Sequence, residues 1–432
     1  MLEIRTFSPD EPRFLAIVAR GADINEEIGG AVAAILTDIR LNGVEALLKY
    51  IRRFDSPLAD ADAIRVTPEE LREAASRVEP EFLGAIRQAV DNVRTFHRPQ
   101  LKKDYELQEA DGVTLAKRVL PISRVGVYCP AGTAPLFSSL IMNAVPAQLA
   151  GVGEIAVAIP PRKDGSLCPY MLATAHYLGL EEIHRMGGAQ AIAALAFGAG
   201  PVRRVDKIVG PGNAYVATAK RQVYGMVGVD SVAGPSEIVV IADHAANPRY
   251  IAADLLSQLE HGSGYESGVV LTDDPGLARR TAEETNRMIA NLSRADSIRR
   301  GLSRYGGIFV CPDLASAADA ANLIAPEHLE IQTENPRALL PRIVNAGAVF
   351  LGPWSSEPVG DYFAGTNHVL PTTGAARFSS SLGVADFQRD MSVIDYSAAA
   401  LRRNGGHIML MAEKEGLTAH ANAIRERMRD LG

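Results

Sequence analysis

Cysteine is scarce in this chain. Three stand among 432 residues, at positions 129, 168 and 311, and no Cys-x-x-Cys occurs. An odd, widely spaced set gives no disulfide framework and no thiolate zinc site, and it fits a reducing cytoplasm. Basic residues are in the minority, 44 Lys and Arg against 51 Asp and Glu, for a net charge of -7. The two signs are interspersed, so the basic face expected of a nucleic-acid binder is missing. Long hydrophobic runs are missing too. The most apolar stretches, 140–160 and 191–200, are broken by Asn143, Pro146, Gln148 and Glu154 or are too short to cross a membrane. Met1 to Arg5 lack a basic segment followed by an apolar one, so no secretory signal is expected and a cytoplasmic location is. There is no internal repeat, no low-complexity tract and no Gly-x-Ser-x-Gly nucleophile elbow.

What is present is an ordinary globular composition, 47% hydrophobic and 22% charged. The length allows two or three domains. Residues 24–41 and 68–96 carry apolar side chains at three- and four-residue spacing and read as amphipathic helices. From Arg124 the pattern changes to short β-branched runs alternating with apolar helices. Strands are expected at 125–128, 155–159, 182–185, 205–209, 238–241, 269–271, 308–311, 329–332 and 348–351. Helices are expected at 136–149, 170–178, 189–197, 214–224, 248–260, 277–291, 315–324 and 336–345.

This alternation predicts an α/β fold with parallel sheets covered on both faces. The Gly234-Pro235-Ser236 segment is the natural junction, so two Rossmann-like sheets are expected rather than one. The rhythm stops after about Gly383, and the rest, through 391–401 and 420–431, reads as a helical tail. The expected organisation is an N-terminal segment 1–25, a discontinuous catalytic α/β domain 26–127 and 236–382, a second Rossmann-like domain 128–235, and a C-terminal dimerisation tail 383–432.

Parallel sheets bind ligands where strand ends open through glycine turns onto helix N-termini. Gly151-Val152-Gly153-Glu154-Ile155-Ala156 spells a formal G-x-G-x-x-A, but it follows a helix and precedes a strand, the reverse of the fingerprint. Three other turns have the right context: Tyr128-Cys129-Pro130-Ala131-Gly132-Thr133, Gly187-Gly188-Ala189-Gln190 and Gly210-Pro211-Gly212-Asn213. Any one alone is an ordinary βα turn. Three in one half of the chain point to a nucleotide.

A second group of residues has metal and acid–base chemistry. Gln258 and His261 are three apart at a helix end that Gly262 stops, so they share a face. Asp361 and His368 flank a glycine turn, and His420 follows Gly416-Leu417-Thr418-Ala419. Imidazole and carboxylate suit zinc, with an amide oxygen in a further position. A histidine at a helix C-terminus is also a good dipole partner without any metal. Glu327 and His328 sit side by side after Ala325-Pro326, at an element boundary, which fits either general base chemistry near neutral pH or a solvated loop pair. Cys168 and Cys311 read as small buried hydrophobes, and Cys129 lies in a candidate cofactor turn without an evident base.

These segments together resemble the histidinol dehydrogenase family. The resemblance is carried by Val229-Asp230-Ser231-Val232-Ala233-Gly234-Pro235-Ser236-Glu237, Ser257-Gln258-Leu259-Glu260-His261-Gly262 and Ala325-Pro326-Glu327-His328-Leu329. It extends through Gly360-Asp361-Tyr362, Gly365-Thr366-Asn367-His368-Val369-Leu370-Pro371-Thr372 and Glu415-Gly416-Leu417-Thr418-Ala419-His420. The motifs keep their order from about residue 30 to the C-terminus.

The resemblance implies that Gln258, His261, Asp361 and His420 hold one Zn²⁺ per subunit and that Glu327 and His328 are the acid–base pair. It implies that Ser236, His368 and Glu415, with those six, contact substrate, and that Tyr128, Gln190 and Asn213 line an NAD site. It further implies a homodimer in which Glu415 and His420 serve the neighbouring subunit, and the oxidation of an amino alcohol, L-histidinol, through its aldehyde to L-histidine. Other alcohols, such as sulfonated diols, and zinc-dependent hydrolysis are the rival activities. One departure stands out. The family's turn after the tyrosine has two glycines, and here the first is Ala131. Were a positive φ required there, alanine would be strained by roughly 1 kcal/mol.

Overall fold

The computed structural model describes residues 2–20, 26–109, 111–132, 134–231 and 234–431. Thr133, Val232 and Ala233 of the motifs, and the first two residues of the helix expected at 24–41, lie outside them. Two parallel sheets form the frame. One has six strands in the order β1 (Ile4–Thr6), β11 (Gly307–Val310), β10 (Ser267–Thr272), β9 (Glu237–Ala242), β12 (His328–Gln332), β13 (Ala348–Leu351). The other has five, β6 (Glu182–Arg185), β5 (Glu154–Ile159), β4 (Arg124–Tyr128), β7 (Lys207–Val209), β8 (Gly228–Val229).

Period-two alternation sends successive side chains of each strand to opposite faces, and both faces are buried. In the six-stranded sheet Ile238, Val240 and Ala242 meet α9 (Pro248–Leu259), α10 (Pro275–Ile289) and α11 (Ala295–Tyr305). Val239 and Ile241 meet α1 (Pro12–Ala19), α12 (Leu314–Ile324) and Leu339 of α13 (Pro336–Leu339). Phe309 is fully buried in that second layer, where truncation to alanine would cost about 3–5 kcal/mol.

The five-stranded sheet is covered in the same way. Val125 and Val127 pack under α3 (Pro68–Arg77), α4 (Pro80–His97), α5 (Phe137–Ala150) and α6 (Pro169–Tyr177). Tyr128, Ala156 and Ala158 pack under α2 (Glu26–Tyr50), α7 (Gly188–Phe197) and α8 (Ala214–Val223). Residues 26–97 therefore rest on the five-stranded sheet, although the sequence grouped them with 236–382. Residues 4–6, set apart in sequence, are an edge strand of the six-stranded sheet.

Several elements differ from the sequence expectation. The helix expected at 68–96 is two, because Pro80 opens a new helix and holds Glu79 extended at φ -65, ψ 141. That expected at 336–345 stops early and tightens into a 3-10 turn at Leu340–Arg342, where Pro341 offers no N–H. Helix α11 had no counterpart in the expectation. The tail is not wholly helical: β14 (Gln388–Tyr396) is a strand, paired antiparallel with β3 (Val113–Pro121), which also pairs β2 (Tyr105–Gln108). Helices α15 (Ala398–Lys414) and α16 (Thr418–Asp430) then form a hairpin, packed chiefly on each other. Ala131 is not among the residues with positive φ, so the substituted turn carries no left-handed strain. No helix among the described residues is long and apolar enough to cross a membrane.

Candidate active site

Strands β9 and β12 are parallel neighbours with His328 opposite Ile238, so their amino ends start together. Ser236 and Glu237 stand at one, Glu327 and His328 at the other. Helix α9 follows β9 and runs back across the sheet before β10, which returns its C-terminal residues, Gln258 and then His261, to the same edge. The short helix α14 (Glu357–Tyr362) brings in Asp361. The site thus gathers at the amino edge of the six-stranded sheet, not at the carboxyl edge where open α/β sheets usually bind.

That edge faces helix α5 of the other unit. His368 Nε2 lies 3.4 Å from Ser139 Oγ, and Asn367 donates its amide to the Met142 carbonyl at 2.7 Å. The carboxyl ends of β4, β6 and β7 carry the three glycine turns. In the third, Gly210 has φ +111 and a Cβ would stand 2.1 Å from the Tyr128 carbonyl oxygen, so only glycine fits.

Glu327 and His328 are buried, 7% and 3% exposed, which excludes the solvated-loop reading. One residue holds both. The Glu237 N–H donates to Glu327 Oε2 at 3.0 Å, and His328 Nδ1 lies 3.2 Å from the Glu237 carbonyl oxygen. A proton on Nδ1 leaves Nε2 as the working atom, and Nε2 points at Asp361 Oδ1, 3.6 Å away. Burial raises the Glu327 carboxyl to about 7, with the His328 charge opposing and Glu237 adding. Burial works against a charge on His328, but Glu327 and Asp361 outweigh it and lift the imidazole to about 10.

Asp361 keeps its charge. Against the effect of burial, His328 and His368 hold its carboxyl well below the usual carboxylate range. Its neighbour Glu357 takes the proton instead, raised to about 8 by burial and by the Asp361 charge. Ser257 donates to Glu357 at 3.0 Å, and the Glu357 N–H donates to Glu330 at 3.0 Å, which fixes the start of α14. His261 keeps solvent access. Partial desolvation, opposed by Asp361, lowers its pKa, and its Nδ1 lies 3.1 Å from Ser236 Oγ.

Gln258 is 1% exposed, and neither atom of its amide has a hydrogen-bond partner. A buried amide left so is costly unless something else binds it. Among the described residues, His328, Glu357 and Asp361 place donor atoms within 4.8 Å of one another, a group able to hold a cation.

The structure therefore brings Ser236, Gln258, His261, Glu327, His328, Asp361 and His368 to one edge. Glu415 and His420 are exposed on the α15–α16 hairpin. At the carboxyl end of the five-stranded sheet, Tyr128 and Gln190 are buried; the Tyr128 hydroxyl accepts the Gly188 N–H at 3.1 Å, and Gln190 donates to Asp55 at 3.0 Å. Asn213 caps α8, its side-chain oxygen accepting from Tyr215 and Val216. Sequence reasoning missed Asp55, Glu237, Glu330, Glu357 and Arg20. Glu237 was inside a quoted motif and Glu357 lay four residues before Asp361, the only local signals available.

The histidinol dehydrogenase family model matches residues 18–428. A histidinol dehydrogenase of Heliobacterium mobile is 49% identical over 397 residues, 92% of this chain and 93% of that protein. One from Geobacter sulfurreducens is 47% identical over 429 residues, 99% of each chain. The crystal structure of histidinol dehydrogenase from Elizabethkingia anophelis superposes with a TM-score of 0.91 at 36% identity, covering 100% of this chain and 98% of that one.

Proposed function

The chain belongs to the histidinol dehydrogenase family and is an oxidoreductase, and on that premise we propose that it oxidises L-histidinol through L-histidinal to L-histidine with zinc and two NAD. The observation that carries the reading is the buried Glu327–His328 pair, held by the Glu237 backbone with His328 Nε2 facing Asp361. The names of relatives matching 92% and 99% of the chain favour histidinol over a sulfonated diol or a hydrolytic substrate.

The donor set fits zinc: the unpartnered Gln258 amide, His261 and the charged Asp361, with His420 of the partner subunit in the fourth position. Zinc, when bound, would anchor the substrate's amine and imidazole and withdraw the Asp361 charge that, after that of Glu327, favours protonated His328. His328 Nε2 takes the hydroxyl proton while the carbinol C–H leaves as hydride to NAD. Glu327 then accepts a proton from the water that attacks the retained aldehyde, and the hydrate gives a second hydride to a second NAD. Water and alcohol thus become a carboxylate, two NADH and three protons. Ser236 and His368, with the partner's Glu415, orient the substrate. Tyr128, Gln190 and Asn213 line the nicotinamide cofactor's cleft. Replacing the base and the water activator separates the two steps. His328→Asn should abolish both oxidations, and Glu327→Gln should slow L-histidinal oxidation far more than L-histidinol oxidation. Equal loss in both steps for Glu327→Gln removes the water-activation role.

A further inference from the structure

We propose that Arg20 and Glu237 are a positioning pair for the acid–base residues, a role that rests on the reading of Glu327 and His328 as the catalytic groups. The Glu237 backbone contacts both of them. Its N–H orients the Glu327 carboxylate, and its carbonyl oxygen takes His328 Nδ1, which fixes the tautomer with Nε2 facing the site. A shift of this one residue misplaces both groups together.

The Glu237 side chain is what keeps it still. Its carboxylate pairs with the Arg20 guanidinium at 2.6 Å, and the two side chains are only 2% and 3% exposed. The same carboxylate accepts the Thr373 N–H. Arg20 also donates to the Pro235 carbonyl at 3.3 Å, so it grips the segment at two points. Gly234 is tied to the Thr372 hydroxyl on the other side. Arg20 itself is the C-cap of α1, more than two hundred residues away in sequence, and is seated by a helix buried against the six-stranded sheet. The next residue back, Ser236, meets His261, so the same grip places a metal-side contact.

A buried ion pair is a poor source of stability but a specific one of geometry. The side chains of the pair act through the Glu237 backbone, which holds Glu327 and His328.

The test uses zinc-loaded protein and three variants: Glu237→Gln, Arg20→Lys and the double Arg20→Met/Glu237→Gln. The double removes both charges, so it avoids the unpaired buried carboxylate that Arg20→Met alone would leave and that could prevent folding. Steady-state oxidation of L-histidinol is measured with bound zinc and thermal midpoint. In Glu237→Gln kcat should fall about tenfold or more, with the KM for L-histidinol within about twofold and zinc content unchanged. The double variant should fall no further than Glu237→Gln, since both changes break one interaction. Arg20→Lys, which keeps the cation, should recover most of kcat. Wild-type kcat with a lowered thermal midpoint would overturn the proposal, as would loss of zinc that accounts for the lost turnover. His328→Asn runs alongside: activity retained there sinks the acid–base reading itself, a separate failure.

Discussion

Gln258 shows how a single residue can carry functional information that sequence spacing only hints at. A fully buried amide with no partner costs about 1–3 kcal/mol, and nothing in the fold repays it. Gln258→Leu should therefore leave the metal-free protein as stable as wild type or more so, while zinc affinity drops at least about tenfold. Thermal unfolding of stripped protein and a zinc titration check both halves. Lost stability with unchanged affinity would make Gln258 a core residue only. Elsewhere the acid limb of stability has a nameable source. Glu182 is held low, to about 2, because His184 and Arg124 outweigh the opposing effect of its burial. A carboxyl depressed in the fold stabilises above its unfolded value, near 4.5, and loses that contribution as pH falls toward about 2. Denaturant unfolding between pH 6 and pH 2.5 should show Glu182→Gln with a shallower decline than wild type over that window.

The elements themselves were largely legible. Strands such as β4 and β5 and helices such as α5 and α7 declare themselves by continuous apolar runs between glycine turns, since a strand buried on both faces has little choice of side chain. β14 was not legible, because Gln388–Tyr396 is a strand only by virtue of β3, nearly three hundred residues earlier. Arg20 and Glu357 stayed hidden for the same reason: their partners are distant in the chain. The histidines could be singled out because only nine occur, whereas the carboxylates, drawn from 51 Asp and Glu, stood out only through the motifs that hold them.

The α15–α16 hairpin makes an element-scale prediction. It holds Glu415 and His420 exposed, as the proposed exchange between subunits requires. Mixing His328→Asn with His420→Ala subunits, each inactive alone, should restore about a quarter of wild-type activity after dissociation and reassociation, since half the dimers gain one intact site. No recovery would mean that His420 acts within its own subunit.

At the scale of the molecule, Asn367 and His368 meet helix α5 on the five-stranded sheet, and the three-stranded sheet and the α15–α16 hairpin leave apolar side chains uncovered. Leu107 of β2, Ile394 of β14, and Leu410 and Met411 of α15 are 60%, 72%, 53% and 67% exposed. That much exposed apolar surface fits a subunit interface. Ile394→Glu combined with Met411→Glu should give monomers by light scattering and, if the site is shared, little activity. Monomers with full turnover would separate the interface from catalysis.

A zinc-dependent double oxidation at the Glu327–His328 edge is best tested by NADH stoichiometry. Zinc-loaded protein is mixed with limiting L-histidinol and excess NAD, before and after chelation. Two NADH per L-histidinol are expected, lost on chelation and restored by zinc. One NADH per substrate, or two that persist in fully stripped protein, would contradict it.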